Sequence, residues 1–303
     1  MPCPSPGSTT AEIGDRTGQE FAAGTGGAGI HLALTSRGPE LILSPTVAAE
    51  FRDGVPPDWF VEPWKDGGGV EVDGTGLRLD AATTGYNAMF GSQRSLEFVA
   101  TFSKRPHQHV GFGTNFRTVP WITFSTKFGN SLYARSNFTI PEDTRLPGSL
   151  LGGSHRFRID WRVLDIEFWA DGRRVAHQLA PVVGYMRPLA SNGSLGGEPL
   201  TIEWLRMSPY APEGAFTSRV HDAGGAVVWE ACHAEADVPE GTTVSLEVRA
   251  GDGPAPDESW SEWAPPPSAG RFVQYRARLA TTDAACTPVV RAVTLRYSAS
   301  GSG

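Results

Sequence analysis

From His155 to His177 the chain reads HRFRIDWRVLDIEFWADGRRVAH, and apolar and polar positions alternate along it. Phe157, Ile159 and Trp161 point to one side while Arg156, Arg158 and Asp160 point to the other, the period of a strand with one buried face. The spacing predicts a turn at Val163-Leu164-Asp165 and a second at Asp171-Gly172, where Asp-Gly supplies positive φ at little steric cost. Short alternating runs separated by Gly, Pro, Asn and Asp recur along the whole chain, and no helical period survives over a useful window. The sequence therefore predicts an all-β protein.

The runs fall into two sets. EFRDGVPPDWFVEPW and GGVEVDGTGLRLDA open the first, SLEFVATFSKRP, HQHVGFGTNF, PWITFSTKF and NSLYARSNFT follow, and LTIEWLRMSPY closes it after the hairpin. The Pro/Gly segment SPYAPEGAF then reads as a linker over 210–213, and a second set of six or seven strands fills 214–298. Residues 1–19 read as a flexible lead, 299–303 as a tail, and 20–45 as short strands attached to the first domain, whose core is 46–209.

The hairpin, with its "H-x-h-x-I-x-W … h-x-F-x-h-D-G-x-x-V" pattern, resembles the strand pair of the concanavalin A-like lectin/glucanase superfamily. The opening "F-x-D/G-x-h-P-x-x-W" segment and the "G-x-L-x-L" strand resemble that superfamily too. The resemblance implies a jelly-roll β-sandwich and a carbohydrate partner. It does not choose among lectins, binding modules, hydrolases and lyases. The "T-S-x-V-x-D-A-G", "D-G-x-W-S-x-W" and "Q-Y-R-A-x-L" elements downstream resemble the immunoglobulin/fibronectin-like module appended to bacterial secreted proteins, and imply a smaller accessory β-sandwich. WSEWAPP is similar to the WSxWS box of cytokine receptors, but Ala264 replaces its Ser, and Trp260 and Trp263 read as edge and core packing residues.

Composition narrows the partners. With 36 Gly and 24 Pro in 303 residues, 19% charged and 40% hydrophobic, the chain is turn-rich yet apolar enough to fold. Its formal charge is −7 and its pI about 5.5, with no Lys/Arg cluster, which argues against nucleic acid or an anionic membrane surface. No apolar run reaches the ~20 residues a membrane helix needs, so membrane insertion is not expected. MPCPSPGSTT lacks the layout of a signal peptide, while the resemblance implies an extracellular or cell-surface site. Of the three cysteines, Cys232 and Cys286 fall together in the C-terminal part, and a disulfide between them is compatible with the sequence, leaving Cys3 odd.

Hydrolases of glycoside hydrolase family 16 in this superfamily carry E-x-D-x-x-E or E-x-D-x-E on a concave-face strand, because a period of two sets the carboxylates on one face. This chain has no such motif. The corresponding strand, HQHVGFGTNF, holds no acid, and Glu97, Asp160, Asp165, Glu167 and Glu203 are single acids on separate strands. Asp160 reads as a structural hydrogen-bonding residue. No catalytic residue is assigned.

The candidate ligand-binding residues are instead His107 and His109, two apart on one strand, Trp121 on the next, and Tyr133 and Arg135 on the following one. A stacking ring beside planar donors and acceptors suits a sugar. The same residue types are similar to those of jelly-roll alginate lyases, but neither the Q-x-H nor the Y-x-K-x-G-x-Y pattern of that family is present. The two histidines lack a third ligand nearby for zinc. No cofactor is required; a structural Ca²⁺ is allowed by the superfamily, with Asp53, Asp58 and Asp73 as oxygen donors that no spacing singles out. Trp59 and Trp64 read as packing under the N-terminal loop, and Asn137 and Asn192 head formal glycosylation sequons. The leading function is carbohydrate binding by a monomer or a part of a multidomain protein. The alternatives are a polysaccharide lyase or hydrolase using the same groove, and a structural spacer.

Overall fold

The computed structural model describes residues 10–181 and 183–299. Apart from one five-residue helix, Gly18–Ala22, and a single 3-10 turn, the regular structure of these residues is antiparallel strand. The chain divides into two compact units, Pro45–Pro209 and a second made of residues 1–44 together with Tyr210–Gly303.

The Pro45–Pro209 unit is a jelly-roll sandwich of two sheets. One has eight strands, with Arg173–Gln178, Ile166–Ala170, Ser154–Trp161, Arg94–Thr101 and Leu200–Tyr210 in spatial order. The other has seven: Pro141–Arg145, Tyr133–Asn137, Trp121–Ser125, Gln108–Gly113, Arg187–Asn192, Ala82–Tyr86 and Trp59–Pro63. Alternation decides what each sheet buries. Phe157, Ile159 and Trp161 are fully buried and meet Phe112, Ile122 and Phe124 of the opposite sheet in one core. Ring centroids of Phe124 and Phe157 stand 4.7 Å apart, and those of Phe112 and Trp161 5.4 Å. The chain changes sheets at Ala81, which takes φ +44° between Leu77–Asp80 and Ala82–Tyr86. The second predicted turn of the hairpin has φ +49° at Asp171 and +76° at Gly172, the left-handed pair a two-residue connection requires.

The second unit departs from the sequence reading in five respects. Residues 20–45 do not attach to the first sandwich. Gly38–Leu43 pairs with Val289–Ala299 through Leu41↔Val290 and Ile42↔Val289, and Ile30–Thr35 extends that edge. Leu41, Ile42 and Leu43 are buried with Trp229, Tyr275 and Val293. Nothing local in ELIL states which distant edge it will cover, and the C-terminal strands supply it. The expected flexible lead is also ordered from residue 10 onward. Thr10–Asp15 pairs with Val289–Ala299, and the fully buried Asp15 accepts from the Tyr275 hydroxyl at 2.8 Å and from Arg219 Nε at 3.0 Å. Burial pulls the Asp15 carboxyl upward, but His221, Tyr275 and Arg219 outweigh it and hold it below its ordinary range. Residues 1–9, with Cys3, and the tail from 300 lie outside the described residues.

The 210–213 segment is no free linker. Only two residues separate the strands Leu200–Tyr210 and Glu213–Thr217. Ala211 N–H donates to Ser44 O at 2.8 Å, and Thr281 N–H to Pro212 O at 2.9 Å. The Cys232–Cys286 bridge does not form, and Cys232 is a free thiol that burial pushes up to about 12. Trp260 is buried, as expected for packing, but Trp263 is not a core residue. Its ring lies between Arg249 at 4.6 Å and Arg276 at 4.5 Å, and Arg249 also reaches Trp260 at 5.7 Å.

Candidate functional site

Residues directly opposite in an antiparallel pair share a face, so the registers of the seven-stranded sheet define its outward surface in three rows. The first runs Arg187, Gly113, Trp121, Asn137. The second runs Phe60, Gly85, Leu189, Gly111, Thr123, Arg135, Asp143. The third runs Glu62, Thr83, Ser191, His109, Ser125, Tyr133, Arg145. Four of the five sequence-predicted residues, His109, Trp121, Tyr133 and Arg135, therefore stand on one face. The fifth, His107, does not share their strand. The strand starts at Gln108, and His107 has φ +64°, so the period of two does not carry back to it.

The floor is made of small residues. Gly111, Thr123, Ser125, Thr83 and Ser191 are buried beneath their larger neighbours. Gly111 is required by the backbone, since a Cβ there would stand 2.1 Å from the Ile122 carbonyl oxygen. Over this floor, rings and guanidinium groups pair. Arg135 lies 4.9 Å from the Trp121 ring centre, Arg187 5.4 Å from Phe60, and Arg117 4.3 Å from Trp64. Trp64 donates its indole N–H to Ser191 Oγ at 2.8 Å, which fixes it to the third row. The packing reading of the two tryptophans holds for Trp59, which is buried in the core, and fails for Trp64, which is half-buried at this face. Arg117 sits in the 114–120 turn, where Asn115 Oδ1 accepts from the backbone N–H of Arg117 and Thr118. Phe116 of the same turn packs toward Gly113 and toward His109, ring centroids 5.6 Å apart. No local pattern connects Trp64 to Arg117, and the sequence reading missed the pair.

The electrostatics of the face are uneven. Arg135 Nε and Lys127 Nζ both donate to Asp143, each at 2.5 Å. Burial pulls that carboxyl upward, but the two hydrogen bonds hold it below its ordinary range. His109 is pushed down to about 3, first by desolvation under its neighbours and then by the charges of Arg135 and His107, although part of its ring stays open to solvent. It is a neutral hydrogen-bonding group at ordinary pH, and too weak a base to match proton transfer near neutrality. The outward rows hold two acids, Glu62 and Asp143, on opposite edge strands. Six strand spacings separate them, roughly 29 Å at ~4.8 Å each.

The acids singled out elsewhere lie on the other sheet. Asp160 accepts from Arg158 Nε at 2.6 Å and from the Ser95 hydroxyl, Glu97 pairs with Arg156 at 2.7 Å, and Glu203 accepts from Ser154. The structural reading of Asp160 holds. Asp53, Asp58 and Asp73 do not converge. Among the described residues, three potential metal ligands meet at Asp165, Glu167 and His177. There Arg162 and Arg174 bond Glu167 at 2.7 and 2.6 Å, Arg162 also reaches Asp165 at 3.5 Å, and His177 is hydrogen-bonded to Asp165 at 2.9 Å, so the acids already have protein partners. Of the two sequons, Asn192 is buried and donates to Leu79 O at 2.8 Å, which closes it to modification.

No protein-family model matches this chain, and no curated protein matches its sequence. Among solved structures it is similar to a Bacillus licheniformis β-glucanase (15% identity, 54% of this chain and 98% of that one, TM-score 0.41). It is also similar to a prokaryotic β-1,3-1,4-glucanase (lichenase) from a mouse hindgut metagenome (16% identity, 53% and 97%, TM-score 0.40). A third is the Crh5 transglycosylase in complex with NAG (14% identity, 54% and 83%, TM-score 0.42). Likeness this distant carries no activity across.

Proposed function

We propose that the protein binds a polysaccharide or glycan on the outward face of the seven-stranded sheet and does not cleave it. The observation that supports this is the pairing of half-buried rings with guanidinium groups along one face, at Trp121 with Arg135 on adjacent strands, Phe60 with Arg187 two strands apart, and Trp64 with Arg117 between loops. A sugar presents an apolar C–H face to a ring and hydroxyls to planar donors, and this arrangement offers both. Hydrolysis needs two carboxylates about 5–9.5 Å apart across the scissile bond, and Glu62 and Asp143 sit at opposite edges of the sheet. For elimination, burial and the charges of Arg135 and His107 push His109 down to about 3, which disfavours it as the base.

The second unit, with its nine paired strands, is proposed as the accessory or spacer part of an extracellular protein of this kind. The test is a glycan array combined with assays for new reducing ends and for 235-nm absorbance. Binding without turnover on β-1,3- and β-1,4-glucans, agarose or carrageenan is expected. Turnover on any of these would contradict the reading, and absence of binding to every glycan would end it.

A further inference from the structure

Around the outward rows, five cationic side chains (Arg117, Lys127, Arg135, Arg145 and Arg187) face two carboxylates, on a chain whose net charge is −7. Two of the five are already paired, because Lys127 and Arg135 share the single carboxylate of Asp143. Arg117, Arg145 and Arg187 have no carboxylate within salt-bridge distance among the described residues. Arg117 Cζ stands 4.3 Å from the centre of the Trp64 ring, and its guanidinium N–H groups make no hydrogen bond among the described residues. Arg187 donates one Nη1 N–H to Tyr86 O at 3.2 Å, and its Nε is buried without a hydrogen-bond partner, which leaves the remaining Nη N–H groups for a ligand. A neutral glycan needs none of this charge. A guanidinium fork beside a ring is the geometry that reads a planar carboxylate or a sulfate.

Resting on the glycan reading above, we infer that the outward face of the seven-stranded sheet takes an anionic glycan, carrying uronate carboxylates or sulfate esters, with Arg117, Arg145 and Arg187 as the groups that recognise the charge. The low proton affinity of His109 accords with this, since its neutral ring adds no cation that would vary with pH.

The experiment is affinity electrophoresis and titration calorimetry of the full chain against polygalacturonate, a sulfated galactan, and a neutral β-glucan and galactan. At least one polyanion should bind about tenfold or more tightly than the neutral polymers and weaken steeply between about 0.05 and 0.5 M NaCl, a range over which the screening length shortens from about 14 to about 4 Å. The uronate and sulfate arms separate the two sources of charge. The exposed pair R117Q/R145Q, which leaves the core untouched, should lower polyanion affinity about tenfold or more; R187Q should add to the loss. Polyanion binding unchanged in R117Q/R145Q would place the charge elsewhere on the protein and overturn the inference. Equal, salt-independent binding of neutral glycans would overturn it while leaving the glycan reading intact, whereas no binding of any polymer would remove both.

Discussion

The two sheets of the Pro45–Pro209 unit share one core but finish their outer faces differently. On the eight-stranded sheet each of five arginines meets a carboxylate: Arg156 with Glu97, Arg158 with Asp160, Arg162 and Arg174 with Glu167, and Arg206 with Glu50. Asp160, Glu167 and Arg206 are buried there, and although burial pulls Glu97 upward, Arg156, Arg158 and Arg206 hold it below its ordinary range. At the seven-stranded sheet Arg117, Arg145 and Arg187 lack such partners; ring–guanidinium pairs occur on both faces, Arg206 lying 4.2 Å from Trp204 on the eight-stranded sheet, so the difference is in the carboxylates. The first face pairs its arginines with carboxylates; the second leaves three cations without counter-charge among the described residues. A ligand has something to gain only on the second.

The largest expected effect breaks the self-satisfied face. Asp160→Ala leaves Arg158 and the Ser95 hydroxyl without their buried acceptor and should cost about 3–5 kcal/mol in urea unfolding. Arg145→Gln on the other face should stay within about 0.5 kcal/mol. Equal costs would erase the distinction between the faces. Next in size, Trp121→Ala should lower glycan affinity by about 2 kcal/mol, roughly thirtyfold, by calorimetry, whereas Trp169→Ala on the eight-stranded sheet should leave it unchanged.

Asp143→Asn sharpens the comparison in the opposite direction. Releasing Arg135 and Lys127 should strengthen binding of an anionic polysaccharide a few-fold at low salt, and weaker binding would mean that Asp143 itself contacts the ligand. The smallest effect concerns pH. His109 titrates near 3 when folded and near 6.5 when unfolded, so the unfolded chain holds the extra proton between those values. Its contribution to stability is therefore complete above about 6.5 and is lost as the pH falls toward 3. His109→Gln should flatten that part of the stability profile, and an unchanged slope would mean that His109 is as well solvated as a free histidine.

Local pattern made the hairpin from Ser154 to Gln178 legible, because its alternation and its Asp-Gly turn are both short-range signals. The same alternation put His109, Trp121, Tyr133 and Arg135 on one face, since each stands an odd number of steps from a buried neighbour such as Val110, Phe124 or Ala134. What stayed hidden is long-range. Asp143 neutralises Arg135 from the next strand, Trp64 finds Arg117 across three strands, and Leu41 pairs with Val290 some 250 residues away. Such pairings follow from which sheet edge is left open once the rest has folded, and a short apolar run carries no label for its edge. His107 failed for a local reason, a left-handed backbone that residues other than glycine seldom adopt.

The central claim is that ligand lies on the seven-stranded face and nowhere else in this unit. Hydroxyl-radical footprinting of the full chain, with and without a polysaccharide that it binds, tests this most directly. The account predicts protection of Trp64, Trp121 and Tyr133 on binding, with Trp169 and Trp204 of the eight-stranded sheet unchanged. Protection confined to Trp169, Trp204 or Trp263, with Trp64 and Trp121 as reactive as in the free protein, would contradict it.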